Sequence, residues 1–261
     1  MAEAPTIRLS EVSFTYPDGT AGMREVSFDI SPEESVGIVG PNGAGKSTLA
    51  LLLLGFLVPE QGAIEIGGLA IARRSLVELR RRVGLVFENP DDQLFLGTVL
   101  DDVAFGLLNR GVPAEQAREL SLAALRRVDL ERAADRFAGH LSSGQKRAAA
   151  LATVLALEPE VVVLDEPTAN LDPRARRRVI ELVRALPGTR LVISHDLEMV
   201  LDCCDRALLF DSGRLVADGP ATELLADGSL LDSHGLEKPH SLMTSAEHAH
   251  VHAERHGRDS R

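Results

Sequence analysis

Tryptophan is absent from this 261-residue chain and tyrosine occurs once, at Tyr16. Positive charge is also scarce. Lys and Arg number 28 against 39 Asp and Glu, a net charge of −11, which argues against a general nucleic-acid binder because phosphate neutralisation needs clustered cations. The two local arginine runs, at Arg80 to Arg82 and Arg176 to Arg178, read as solvated helix faces.

Cysteine is confined to the neighbours Cys203 and Cys204. Adjacent cysteines strain a disulfide and lack zinc-site spacing, so both read as small apolar helix residues in a reducing cytosol. Long apolar runs are missing too. The longest, Leu49 to Val58, is broken by Gly55 and is shorter than the roughly 20 residues that span a bilayer. The opening residues, Met1 to Pro5, have neither a basic start nor an apolar stretch and do not read as a secretory signal. If this chain serves transport across a membrane, other chains must build the passage.

What is present points to a layered fold. An apolar share of 44% supports one large α/β domain with at most a small appendage. Residues 7–14, 26–30 and 63–66, with a turn at Tyr16 to Gly19, read as a small antiparallel sheet. Residues 36–39, 83–87, 161–164 and 191–193 are apolar, β-branched runs of the kind buried in parallel sheets. Helical patterns separate them, which predicts an α/β sandwich.

Residues 90–157 read as mostly helical. Pro113 suits a helix's first turn, Ala117, Leu120, Ala124 and Val128 follow a 3.6-residue period, and Glu158-Pro159 stops the helix carrying Ala148, Leu151, Ala152 and Leu155. Residues 207–210 and 214–217 predict a hairpin. The chain divides into a main domain, 1–228, and a His-containing tail, 229–261, whose last twenty or so residues predict disorder. There is no internal repeat.

Gly40, Pro41, Asn42, Gly43, Ala44, Gly45, Lys46, Ser47 and Thr48 follow an apolar strand and open a helix. That context makes the G-x-x-x-x-G-K-[ST] spacing a phosphate cradle: the glycines let amides wrap the phosphates, Lys46 reaches the β- and γ-phosphates, and Ser47 offers a hydroxyl to Mg²⁺. Asp165 ends the strand 161–164 and can hold Mg²⁺. Glu166 follows and can polarise an attacking water as general base. Alone, the acidic pair could equally cap a turn.

Ser142, Ser143, Gly144 and Gln145 precede a helix expected to begin near Lys146, and on their own they read as an ordinary helix cap. His195 follows the strand 191–193; in isolation such a histidine is more often structural.

Taken together and in this order, the segments 40–48, 86–89, 141–145, 161–166 and 193–196 resemble those of ATP-binding cassette (ABC) ATPases. The resemblance covers about residues 7–225. It implies a P-loop NTPase fold of the ABC type, with a RecA-like parallel-sheet core, an N-terminal antiparallel β subdomain and a helical subdomain at about 90–157. It also implies that Ser142 to Gln145 grip the γ-phosphate held by a second subunit, a copy or a close relative, in a head-to-tail sandwich of two composite ATP sites. His195 would contact the γ-phosphate. Asp172, in Ala169 to Asp172, would cross the interface, and Tyr16 would stack on adenine.

Two positions depart from the family pattern. Glu88 stands where most members carry Gln, a residue that touches Mg²⁺ and links nucleotide state to the membrane partner. Ser143 replaces the first signature glycine; where positive φ or tight phosphate approach is required, its Cβ costs about 1–2 kcal/mol. Both make slow turnover an expectation, and a slow nucleotide-binding scaffold is a competing reading.

Residues 83–95, with Thr98, Val99 and Asp101 to Gly106, resemble energy-coupling-factor ATPases of the cobalt/nickel, CbiO-like branch. That likeness implies an integral membrane partner contacted through exposed Leu94 and Phe95, a peripheral place at the cytoplasmic face of the cell membrane, and import of cobalt or nickel ions, with a vitamin as alternative cargo. The reading against this is that both side chains are core. His248, His250, His252 and His256 could bind a transition metal or be incidental. A soluble repair or translation ATPase is disfavoured by the acidic charge and the single cassette.

Overall fold

The computed structural model describes residues 7–243; His248, His250, His252 and His256 lie outside them. Strands β1 (Ile7–Thr15) and β2 (Ala21–Ile30) are followed by β3 (Ser35–Val39), helix α1 (Lys46–Leu53), β4 (Gln61–Ile66), β5 (Leu69–Ala70), α2 (Leu76–Arg82) and β6 (Val83–Val86). Three longer helices come next, α3 (Val99–Asn109), α4 (Ala114–Arg127) and α5 (Ser143–Leu155). The chain then runs through β7 (Val161–Asp165), α6 (Pro173–Arg184), β8 (Thr189–Ile193), α7 (Leu197–Cys203), β9 (Arg206–Asp211), β10 (Arg214–Pro220), α8 (Ala221–Leu224) and α9 (Gly228–Ser233). None of the helices is long and apolar enough to cross a membrane, among the described residues.

Two sheets result. The smaller has order β2-β1-β4-β5 and is antiparallel, with Ile7 opposite both Ile30 and Ile66. The larger has order β10-β9-β3-β8-β7-β6 and is parallel except for β10. Alternation along its strands assigns each residue to one of two cores. Val36, Ile38, Val161, Val163, Leu191, Ile193, Leu208 and Phe210 face the small sheet and α1. Val39, Val162, Leu164, Val192, Ala207 and Leu209 face the core shared with α3 to α7. Both faces are covered, which is why these strands read as unbroken apolar runs. Each buried Val, Leu or Ile contributes about 1.5–3 kcal/mol.

Several local expectations differ from the structure. Pro113 stands at the N-cap of α4, in extended backbone, one residue before its first turn. Arg176 is not a solvated face residue: its guanidinium grips Asp196 through two bonds of 2.7 and 3.0 Å. Cys203 and Cys204 are both free and buried, as their spacing suggested. Burial pushes their thiols up to about 11 and about 12, so neither carries a reactive thiolate at neutral pH.

Packed structure continues past residue 228. Leu231 in α9 is fully buried, and Leu230, Leu236 and Leu242 lie against the helical core. His234 Nδ1 meets Asp211 Oδ2 at 2.7 Å, and the Ser241 N–H and hydroxyl donate to Glu198. The segment 229–243 is thus joined to β9 and α7.

Candidate functional site

The central strand β3 runs between β8 and β9 and delivers the chain to the carboxyl edge of the parallel sheet, where α/β folds bind ligands. There the backbone turns through Gly40 to Gly45 before α1 starts at Lys46. Gly45 has φ +101°, and a Cβ on it would sit 2.5 Å from the Gly22 carbonyl oxygen, so this position requires glycine. The Gly213 N–H donates to Ala44 O at 3.0 Å and pins the loop to the β9–β10 turn. Asn42, Gly43 and Ser47 are exposed, while Ala44, Lys46 and Thr48 are buried.

Lys46 Nζ donates to Gly40 O at 2.7 Å and to Pro41 O at 2.9 Å. Burial pulls its pKa below the ordinary lysine value, with the charges of Glu166 and Asp165 opposing. Tyr16 holds its hydroxyl 3.0 Å from Thr48 Oγ1 and packs edge-on to Phe14 with centroids 5.0 Å apart. It stands at the mouth of a cleft of about 660 Å³ that Gly40 to Thr48, Glu88, Asp165, Glu166 and His195 also border. A cleft of this size accepts a nucleoside triphosphate.

Asp165 ends β7 beside the loop. Burial, then the charges of Glu166 and Glu88, raise its carboxyl to about 6, against the pull of Lys46 and Arg147. Glu166 adopts φ +42°, a sparsely populated conformation for this residue. Its own N–H donates to Ile193 O at 2.9 Å, which holds the turn. Its carboxylate accepts from Ser194 Oγ at 3.1 Å and from the His195 N–H at 3.0 Å, and lies 2.8 Å from His195 Nδ1. The His195 ring is otherwise mostly exposed at the cleft. Held this way, Glu166 can take a proton from a water in the cleft.

Glu88 is exposed and borders this cleft and a second one of about 340 Å³. The loop after it is fastened to α5: Gln93 accepts from the Phe87 N–H and donates to Ala150 O and Thr153 Oγ1. Asp102 Oδ1 accepts the amides of Phe95 and Leu96, both at 2.9 Å. This arrangement separates two residues expected to be exposed together. Phe95 projects outward at 59% exposure beside Phe105, with ring centroids 5.3 Å apart. Leu94 is only 7% exposed and belongs to the core.

The helix α5 begins at Ser143, not near Lys146. Ser142 is its N-cap in a full capping box: Ser142 Oγ accepts from the Gln145 N–H, and Gln145 Oε1 from the Ser142 N–H. Ser143 lies within the α-helix, so its Cβ carries no left-handed strain. Gly144 is the tight position, since a Cβ there would stand 2.8 Å from Ala175 Cβ on α6. Asp172 caps α6 by accepting from the Arg174 and Ala175 amides, and those bonds hold its carboxyl below the usual range.

Ser142, Gly144, Gln145 and Asp172 border a separate cleft of about 530 Å³ with Arg174 and Arg178, and none of them reaches the phosphate-loop cleft of the same chain. The sequence reading did not include Gly235 and Leu236, which line the phosphate-loop cleft. Their signal was the leucine spacing at 230, 231 and 236, masked by the polar composition around it.

The chain is similar to known proteins in sequence and fold. The ABC transporter family model matches residues 23–169. A protein of Gloeobacter violaceus, named as an ABC transporter ATP-binding protein, is 52% identical over 90% of this chain and 97% of its own length. The energy-coupling factor transporter ATP-binding protein EcfA of Methanothermobacter thermautotrophicus is 40% identical over 89% of this chain and 76% of its own. The structure of cbiO1 from Clostridium perfringens, part of the ABC transporter complex cbiONQ, superposes with a TM-score of 0.78 at 34% identity, covering 87% of this chain and 93% of that one. This chain therefore belongs to the ABC transporter ATP-binding family, as an ATP-binding and ATP-hydrolysing cassette.

Proposed function

We propose that this chain is the motor subunit of an energy-coupling-factor importer of cobalt or nickel ions. It works as a face-to-face pair, two copies or a copy and a close relative, bound to an integral membrane subunit at the cytoplasmic face of the cell membrane. The observation that carries this reading is that Ser142, Gly144, Gln145 and Asp172 line a cleft sharing no residue with the one lined by the phosphate cradle of the same chain, while Ser143 lines a third cleft beside Glu88. A closed two-fold pair brings each cradle against the other chain's helix start.

In that pair, Gly43 to Ser47 and Lys46 hold the β- and γ-phosphates, and Tyr16 supports the adenine. Glu166 accepts a proton from the attacking water, and His195 stays against the γ-phosphate. Ser142, Ser143, Gly144 and Gln145 of the second copy close the site, with Asp172 at the seam. Ser47, Asp165 and Glu88 offer only oxygen donors, which suits Mg²⁺, an ion that keeps waters and phosphate oxygens in its shell. No cluster of three or more His, Cys, Asp or Glu forms a metal cage by itself among the described residues. When bound, Mg²⁺ supplies positive charge to the phosphate oxygens. The helical backbone at Ser143 removes the positive-φ argument for slow turnover; close phosphate approach to its Cβ and the charge of Glu88 are the remaining ones.

Residues 7–243 act as one cassette, with 90–157 as its helical arm and Phe95 and Phe105 as the contact for the membrane subunit. Phe95→Glu is expected to reduce co-purification with that subunit at least about tenfold, since it buries an unpaired charge in an apolar contact; recovery equal to the native chain would place the contact elsewhere. The likeness to a subunit of a cbiONQ complex, together with the tail histidines, supports a transition-metal cargo. Uptake of radiolabelled nickel and cobalt by the reconstituted complex tests it, and uptake of a vitamin instead would reassign the cargo.

Asp165 gives the site a pH signature. Its folded pKa, about 6, lies above the ordinary 3.8. The metal-free fold therefore binds this proton more tightly than the unfolded chain does. From this group, stability falls as pH rises from 3.8 to about 6 and is level above. Mg²⁺ needs the ionised form, so Mg²⁺-dependent ATP affinity is expected to weaken as pH drops below about 6. Titrations with and without EDTA check this; an equal pH response in both would exclude Asp165 as the metal residue.

A further inference from the structure

Arg147 is the most deeply buried cation among the described residues, at 3% exposure, and the ATP chemistry above gives it no task. It lies in the first turns of α5 and reaches the loop that carries Glu88. Its Nη1 donates to Phe87 O at 2.8 Å and its Nη2 to Ala169 O at 3.5 Å. Its Nε has no partner among the described residues. With Glu88, Ala169 and Asn170 it borders the cavity of about 340 Å³.

Two neutral carbonyls do not account for a fully buried positive charge, because desolvating a guanidinium is unfavourable unless a carboxylate faces it. The carboxylate charges that oppose the burial drawing its pKa down are those of Glu88 first, then Asp165 and Glu166, and Glu88 borders the same cavity. In the charge cluster centred on Asp165, three acids (Glu88, Asp165, Glu166) act against two cations (Lys46, Arg147). A glutamine at 88 would leave two against two. Glu88 is thus the excess negative charge, and Arg147 is the cation it acts on.

We propose that Arg147 is a positioning residue that offsets the charge of Glu88 and fixes the adjacent Phe87 carbonyl, which lets this chain carry a glutamate beside the terminal phosphate and still turn over ATP. Arg147 acts through Glu88 and does not touch the nucleotide. The proposal rests on Glu88 serving the ATP site.

The test is a double-mutant cycle on the full chain with Arg147→Gln and Glu88→Gln. It is read by MgATP turnover and by the melting temperature of protein free of metal and nucleotide. Arg147→Gln is expected to lower turnover about tenfold in the native background and about twofold or less beside Glu88→Gln. Its loss of melting temperature is expected to shrink by about half or more in the same comparison. Equal losses in both backgrounds, by both readouts, would overturn the proposal, because Arg147 would then serve the carbonyls alone.

Coupling in melting without coupling in turnover would keep the charge pair and remove Glu88 from the reaction, which contradicts the functional half. Arg147→Lys keeps the charge but not the fork to the two carbonyls, so its turnover is expected to fall between that of the native chain and that of Arg147→Gln; a loss as deep as or deeper than that of Arg147→Gln would overturn the charge argument. Where Arg147→Gln alone does not fold, folding of the double variant supports the pair and its failure to fold refutes it.

Discussion

Glu166→Gln is expected to slow ATP turnover by about 10²- to 10⁴-fold, the range that loss of a positioned general base produces. The substitution leaves the surroundings intact. One carboxylate oxygen accepts from the His195 N–H, and the other faces Ser194 Oγ and His195 Nδ1. A glutamine retains an acceptor for the first and offers an amide donor to the second pair. What is removed is the ability to take a proton from water. The corresponding barrier increase is about 2.7–5.5 kcal/mol, larger than any packing change at this polar rim would cause. ATP should therefore still bind, and the pair of chains should persist with ATP in light scattering. Steady-state turnover equal to that of the native chain would remove Glu166 from the chemistry.

Lys46→Met is expected to weaken ATP binding by about a hundredfold or more, equivalent to about 3 kcal/mol. The ammonium holds the Gly40 and Pro41 carbonyls, and it is one of the two cations facing Asp165, Glu166 and Glu88. Methionine fills the volume of the stem and supplies neither donor nor charge. The loop carbonyls lose their partner, and the phosphates meet carboxylates with only Arg147 opposing them. Titration with a fluorescent ATP analogue measures the change. Affinity within about threefold of native would contradict a phosphate-binding role for Lys46.

The strand, loop and helix around Gly40 to Thr48 were legible because the glycine-rich spacing falls between an apolar run and a helical one. The parallel sheet was legible for a related reason: with both faces covered, 161–164 and 191–193 show no polar alternation. Elsewhere local pattern was overridden. Ser142 and Gln145 spell a capping box at S-x-x-Q spacing, yet the start of α5 was expected about three residues late. Gly144 is tolerated there because α6 packs so closely that Ala175 leaves no room for a Cβ.

Leu94 and Phe95 are adjacent and equally apolar. Only the turn at Pro90–Asp92 and the Asp102 clamp decide that one enters the core and the other faces outward. Arg147 has no sequence signal that separates it from a surface cation near a helix start, and only the fold over it shows that it is buried. The segment 229–243 was hidden by composition, since a few leucines among His, Ser and Glu carry too little periodicity to announce packing.

The central claim is that each ATP is held between the cradle of one chain and the helix start of another. Disulfide cross-linking of two variants, each with one added cysteine, Asn42→Cys and Ser142→Cys on separate chains in the Glu166→Gln background, tests it most directly. Both positions are exposed, and the native Cys203 and Cys204 are buried with raised thiol pKa values, so they do not compete. A two-chain product that forms with ATP and disappears without it is the expected result. Absence of that product under ATP, or a bridge formed inside one chain when both cysteines are placed on it, would contradict the account.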